Sequence, residues 1–144
     1  MRLRKKVLGG LVLTLLLGVV AQASEGYKNL FVTITTDNLK QSGMGVAIAS
    51  AFQNAGVHTT VLVGANASGL VLKKGKQELF GPTGVSVRDM LVGLTKKGGT
   101  VMLCGMCAKF GEITVDDVAQ GVKIVTPTDV AGALLAPSTQ TLSF

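Results

Sequence analysis

The sequence predicts a single α/β domain in which a mainly parallel sheet is covered by helices on both faces. Three observations predict it. Short, β-branched and nearly continuous apolar runs recur along the chain, as in strands buried on both sides. Stretches at helical spacing alternate with those runs, which is the pattern of a parallel sheet. Three Ser/Thr-x-x-Asp motifs also stand where helices should begin.

The first strand is "KNLFVTITT" (28–36), after which "DNLKQSG" turns the chain. In "MGVAIASAFQNAG" (44–56), Met44, Ala47, Ile48, Ala51, Phe52 and Ala55 recur at helical spacing, and Gly56 stands where a C-terminal cap belongs. "HTTVLVG" (58–64) reads as the second strand. Residues 67–80 read as a weaker helix interrupted by Gly75, and "GPTG" (81–84) as a loop. Ser86–Asp89, Thr114–Asp117 and Thr126–Asp129 are capping boxes with Asp in place of Glu, each predicting a helix start. Pro127 suits the first helical position, where its missing N–H costs nothing. "TVMLC" (100–104), "VKIVT" (122–126) and "TQTLSF" (139–144) supply the remaining strands.

The N-terminus reads as an export signal. Arg2, Arg4, Lys5 and Lys6 precede an apolar stretch, "VLGGLVLTLLLGVV", and Ala21 and Ala23 fit the small-x-small rule for cleavage after Ala23. The stretch is short for a membrane span, which needs about 20 residues; an uncleaved N-terminal anchor is the alternative. The expected organisation is a signal peptide over 1–23 and one domain over 24–144, periplasmic or secreted, with no stable membrane contact after cleavage.

Export changes the charge argument. The whole chain holds 14 Lys and Arg against 8 Asp and Glu, a net charge of +6. Four of the cations belong to the leader, which leaves a mature net charge of +2. With no Trp, one Tyr and no aromatic residues interleaved in a basic stripe, nucleic acid is not an expected partner. Phosphate and dinucleotide loops are also excluded. "GLVLKKGK" (69–76) has the wrong glycine spacing and no Ser or Thr after Lys76, and no G-x-G-x-x-G occurs. "NAS" at Asn66–Ser68 matches a glycosylation sequon, a pattern short enough to arise by chance.

Both cysteines of the chain, Cys104 and Cys107, lie in "TVMLCGMCAKFGE" (100–112), at the carboxyl end of an expected strand. Loops at strand carboxyl ends are where α/β sheets gather reactive groups. Three roles compete. A structural disulfide would close only a very short loop and so add little stability. A zinc site would need two further ligands, and His58 is the single histidine, which reads as a turn or surface residue. A reactive centre fits best. The thiolate is the nucleophile, and its pKa falls near a second cysteine, a cation or a helix start. Gly105 and Gly111 suggest a tight loop here, Lys109 offers positive charge, and the capped helix expected from Thr114 would direct its positive end at the loop.

Taken together, "KNLFVTITTD", "MGVAIASAFQNAG", "TVLVGANASGLVLKKG", "VRDMLVGLTKKGGTVMLCGMCAKFGE", "GVKIVTPTDVAGALL" and the ending "TLSF" resemble the DsrE/DsrF-like family, in its exported subgroup. The resemblance spans nearly all of the mature chain. It implies a three-layer sandwich with about five strands, assembled as a homotrimer or hexamer. Members relay sulfur as a cysteine persulfide in sulfur oxidation or tRNA thiolation. Cys104 matches the family's reactive cysteine, and Cys107 a second cysteine found in some members. The best-understood relays are cytoplasmic and work with partner subunits, whereas this chain begins with an export signal.

The resulting expectation is a sulfur carrier with sulfurtransferase-like chemistry and no cofactor or metal. Cys104 would hold the persulfide, Cys107 would act as second acceptor or resolving thiol, and proteins or small thiols would be donor and acceptor. A CxxC dithiol/disulfide oxidoreductase and a non-catalytic oligomeric binding module are the alternatives.

Overall fold

The computed structural model describes Gly26 and residues 28–144; the expected signal peptide, 1–23, lies outside the described residues. β1 (Asn29–Ile34), α1 (Leu39–Asn54) and β2 (His58–Val63) come first, followed by a 3-10 segment (Ala65–Val71) and the short strands β3 (Leu79–Phe80) and β4 (Val85–Ser86). Next are α2 (Val87–Lys96), β5 (Thr100–Cys104), α3 (Gly105–Phe110), β6 (Val122–Val125), α4 (Pro127–Leu134) and β7 (Thr139–Ser143). The main sheet has five strands in the order β6-β5-β2-β1-β7, and every neighbouring pair is parallel.

Period-two alternation divides the sheet into two unlike faces. Leu30, Val32, Ile34, Val61, Val63, Val101 and Leu103 point to one side and are almost completely buried. α1 and α2 close that side with Val46, Ala49, Val87, Leu91 and Leu94, forming one hydrophobic core. On the other side the cover is thinner than the strands' composition suggests. α4 lies there with no buried residue of its own. A groove of about 630 Å³ separates its Thr128, Gly132 and Ala133 from Thr60, Met102 and Lys123 of the sheet.

Several elements differ from the sequence reading. α1 starts at Leu39 instead of Met44, because the Asn38 side chain accepts from the N–H groups of Lys40 and Gln41 at 3.1 and 3.2 Å and caps the helix early. Residues 67–80 form no α-helix, and only 67–71 are helical, in a 3-10 segment. The 3-10 turn ends at Val71, and Leu79–Phe80 pair antiparallel with Val85–Ser86 around the "GPTG" turn. The box at Thr114 closes a turn and starts no helix. Asp117 Oδ2 accepts from the Thr114 N–H and hydroxyl, but Val118 then bridges to Leu72 and the Ala119 N–H donates to the Val71 carbonyl. These contacts use the backbone groups a helix would need. The boxes at Ser86 and Thr126 do cap helices as expected. Gly56, with φ +88°, ends α1 where a capping glycine was predicted.

Candidate functional site

Cys104 is the last residue of β5 and also the N-cap of α3, so strand and helix meet at its Sγ. "GMCAKF" forms a six-residue helix, correcting the expectation of a glycine-loosened loop. Gly105 is needed for closeness instead of freedom: a Cβ at this position would lie 2.5 Å from the Val125 carbonyl oxygen of neighbouring β6. That contact sets α3 tightly against the sheet edge. Because the box at Thr114 starts no helix, the helix end expected there to point at the cysteines does not exist. Lys109 lies in the last turn of α3, away from Cys104 at its start.

The turn of α3 brings the two cysteines together. The Cys107 N–H donates to Cys104 Sγ at 3.4 Å, and both thiols are free and half-buried. The loop after β2 completes the site. Val63 pairs with Leu103, so Gly64 comes alongside Cys104. A Cβ on Gly64 would stand 3.2 Å from Cys104 Cβ and 3.3 Å from Cys107 Sγ. Glycine here keeps the floor of the site open. The Ala65 N–H donates to Cys107 Sγ at 3.2 Å, from a backbone with φ +49°. A non-glycine residue in this region is strained by about 1 kcal/mol or more and persists only where its surroundings hold it.

The two thiols differ electrostatically. Burial pulls the Cys104 pKa up, but the side-chain hydrogen bond from Cys107 and the N–H groups of Cys107 and Met106 outweigh it and hold Cys104 below the ordinary thiol range. Cys107 is pushed above that range. Its proton is held in the hydrogen bond to Cys104, partial burial and the Cys104 charge act in the same direction, and the Ala65 N–H opposes them. Of the two thiols, Cys104 therefore ionises first and Cys107 second, which suits a nucleophile with a second thiol in reserve.

Cys107, but not Cys104, lines an open groove of about 430 Å³ with Ala65, Asn66, Ser68, Met106, Phe110 and Gly111. Sequence reasoning identified both cysteines and missed Gly64 and Ala65. Their only signal was a glycine at the carboxyl end of the strand that pairs with β5. His58 begins β2 and so stands at the opposite end of the parallel sheet from the cysteines. Among the described residues, no group of three or more His, Cys, Asp or Glu is placed to hold a metal ion.

No protein with a curated description matches the chain. Solved structures do. The ychN protein from E. coli is 20% identical over 81% of this chain and 98% of its own, with a TM-score of 0.62. A protein of unknown function, MTH1491 from Methanobacterium thermoautotrophicum, is 11% identical over 81% and 98%, with a TM-score of 0.64. BT1422 from Bacteroides thetaiotaomicron, also of unknown function, is 18% identical over 81% and 95%, with a TM-score of 0.59. At these identities the likeness establishes the fold. A family model matches residues 28–144, every strand and helix of the domain: the chain belongs to the DsrE/DsrF-like family.

Proposed function

We propose that this protein is a sulfur carrier in which Cys104 holds sulfur as a persulfide. The family is associated with sulfur relay. The observation that carries the reading is the division of labour between the thiols: Cys104 has its pKa lowered by donated hydrogen bonds, and Cys107 keeps its proton. In the loading step, the Cys104 thiolate attacks the outer sulfur of R–S–SH. The donor's S–S bond breaks, giving Cys104–S–SH and R–S⁻. In delivery, an acceptor thiolate takes the outer sulfur and regenerates the Cys104 thiolate. In the absence of an acceptor, Cys107, once deprotonated, attacks Cys104 Sγ, forms the disulfide and expels HS⁻. Cys107 thus serves as second acceptor or resolving thiol.

The reading includes export. The basic run, apolar stretch and Ala21-x-Ala23 site support cleavage after Ala23, with residues 24–144 acting outside the cytoplasm as the exported subgroup of the family. Among the described residues, no helix is long and apolar enough to cross a membrane. Self-assembly as a homotrimer or hexamer belongs to the same proposal, supported by the family likeness and by exposed apolar side chains such as Leu135 and Leu142. Sulfur donor and acceptor are proteins or small thiols.

Intact mass after incubation with polysulfide tests the central step. Wild type gains one or more sulfur atoms that a reductant removes, and Cys104→Ser gains none. Equal uptake by the Ser variant overturns the proposal. The one-turn separation of the two thiols, with the Cys107 N–H on Cys104 Sγ at 3.4 Å, also suits dithiol/disulfide exchange. Reversible cycling of the pair in glutathione buffers, with no sulfur uptake, assigns that activity instead.

A further inference from the structure

The groove beside the cysteines has a distinctive composition. Its walls are Met106 and Phe110 of α3, which are 72% and 96% exposed, and the Ala65–Ser68 turn faces them. No lining side chain is charged. Its polar groups are few, and the Ser68 hydroxyl is already donated to the Ala65 carbonyl. Met106, Cys107, Phe110 and Gly111 share the groove by helical spacing, which turns Lys109 onto a different face of α3. Cys107, the thiol next to the nucleophile, thus opens onto a lining that offers apolar contact and no charged side chain.

Resting on the sulfur-carrier reading, we propose that this groove binds the uncharged aliphatic group of a small hydropersulfide and so sets which donors load the protein. The physical argument is charge complementarity. A donor bearing carboxylates, or thiosulfate with its leaving sulfite dianion, meets no cationic side chain in the groove lining to offset its charge as it approaches the nucleophilic sulfur. An aliphatic tail instead loses water-exposed area against Met106 and Phe110, at roughly 25 cal/mol per Å². With the tail in the groove, the sulfane end lies at Cys107, whose own N–H donates to Cys104 Sγ at 3.4 Å, so the donor is held beside the nucleophile. The reaction balances as before: Cys104–S⁻ and R–S–SH give Cys104–S–SH and R–S⁻. Only R differs between good and poor donors.

The test compares loading rates of the full-length mature protein by rapid quench and intact mass. The donors are n-butyl hydropersulfide, glutathione hydropersulfide and thiosulfate. Wild type is expected to load at least about tenfold faster from the butyl donor than from either anionic one, equivalent to about 1.4 kcal/mol. Met106→Ser/Phe110→Ser, altering two exposed side chains, is expected to bring the ratio of butyl to glutathione loading rates down to about one.

Equal wild-type rates, or faster loading from an anionic donor, overturn the inference while leaving sulfur carriage intact. Failure of every donor to load Cys104 overturns both. If the double variant changes the oligomeric state in sedimentation and leaves the donor ratio unaltered, the groove is covered by a second copy of the chain and the inference fails.

Discussion

The Ala65 N–H points at Cys107 Sγ across 3.2 Å, joining two residues 42 positions apart. This bond closes the site between two strand ends. It also explains how Ala65 is held at φ +49°, since a partly buried sulfur takes the N–H that the left-handed backbone presents. Of the two thiols, Cys107 keeps its proton even with this donor at its sulfur, because Cys104 has the stronger hold on the shared charge.

The pH profile of alkylation follows. Burial acts against the Cys104 thiolate, and the Cys107 side chain together with two backbone N–H groups outweighs it. Iodoacetamide is therefore expected to modify Cys104 with a midpoint below that of a free thiol, and Cys107 with one above it. Cys107→Ala removes a donor to the charged form and moves the Cys104 midpoint to higher pH, whereas Cys107→Ser retains an O–H donor and moves it less. Mass mapping of the alkylated peptides across a pH series checks both shifts. A Cys104 midpoint unchanged in Cys107→Ala contradicts the assignment.

Gly64→Ala tests the floor of the site. The added methyl would meet Cys104 Cβ at 3.2 Å and Cys107 Sγ at 3.3 Å, close enough that these two side chains must yield by a few tenths of an ångström. The position lies outside the left-handed region, so the backbone tolerates alanine. Sulfur loading is expected to fall about tenfold, because space for one more atom beside the thiols is lost, with a change in stability below about 1.5 kcal/mol. Loading kinetics and urea denaturation of the same variant separate the two effects.

Gly105→Ala should behave in the opposite way. Its Cβ would sit 2.5 Å from the Val125 carbonyl, which is backbone and cannot rotate aside. The expected cost is about 1–3 kcal/mol, as for an overpacked core position. It appears in the denaturation midpoint before any loss of sulfur uptake per folded molecule.

The capping motifs give a matched pair. Thr126→Ala removes the hydroxyl that accepts from the Asp129 N–H and donates to its carboxylate, at the start of an eight-residue helix. About 1 kcal/mol of stability should be lost. Asp129, held below the ordinary carboxylate range by the Thr126 side chain and then by the Thr126 N–H, should titrate closer to that range in the variant, as read by NMR. Thr114→Ala, in the turn that starts no helix, should cost less.

Much of the architecture was legible without coordinates because it depends on local rules. Apolar runs marked β1, β2, β5 and β6 of the sheet, including Thr100–Cys104, while the mostly polar "TQTLSF" reads as the last strand by its place at the end of the alternation. Hydroxyl-x-x-Asp spacing marked the starts of α2 and α4, and Gly56 marked the end of α1. Where local rules met a competing long-range contact, the reading failed. Thr114–Asp117 carries a helix-start motif, but Val118 and Ala119 are drawn into pairing with Leu72 and Val71, which lie more than forty residues earlier. "GMCAKFG" looked like a loop because it is bounded by glycines, yet Gly105 is there to let α3 approach β6.

By itself, then, the order of residues determined the α/β layering and placed two thiols at one strand's carboxyl end, because hydrophobic period and capping chemistry act over a few neighbours. Only the tertiary structure decided what surrounds those thiols. β2 had to pair with β5 before Gly64 could make room and Ala65 could donate its N–H. α3 likewise had to form before Met106 and Phe110 could share a groove with Cys107. The pKa of a sulfur depends on charges and donors within a few ångströms, and chain order does not fix those distances.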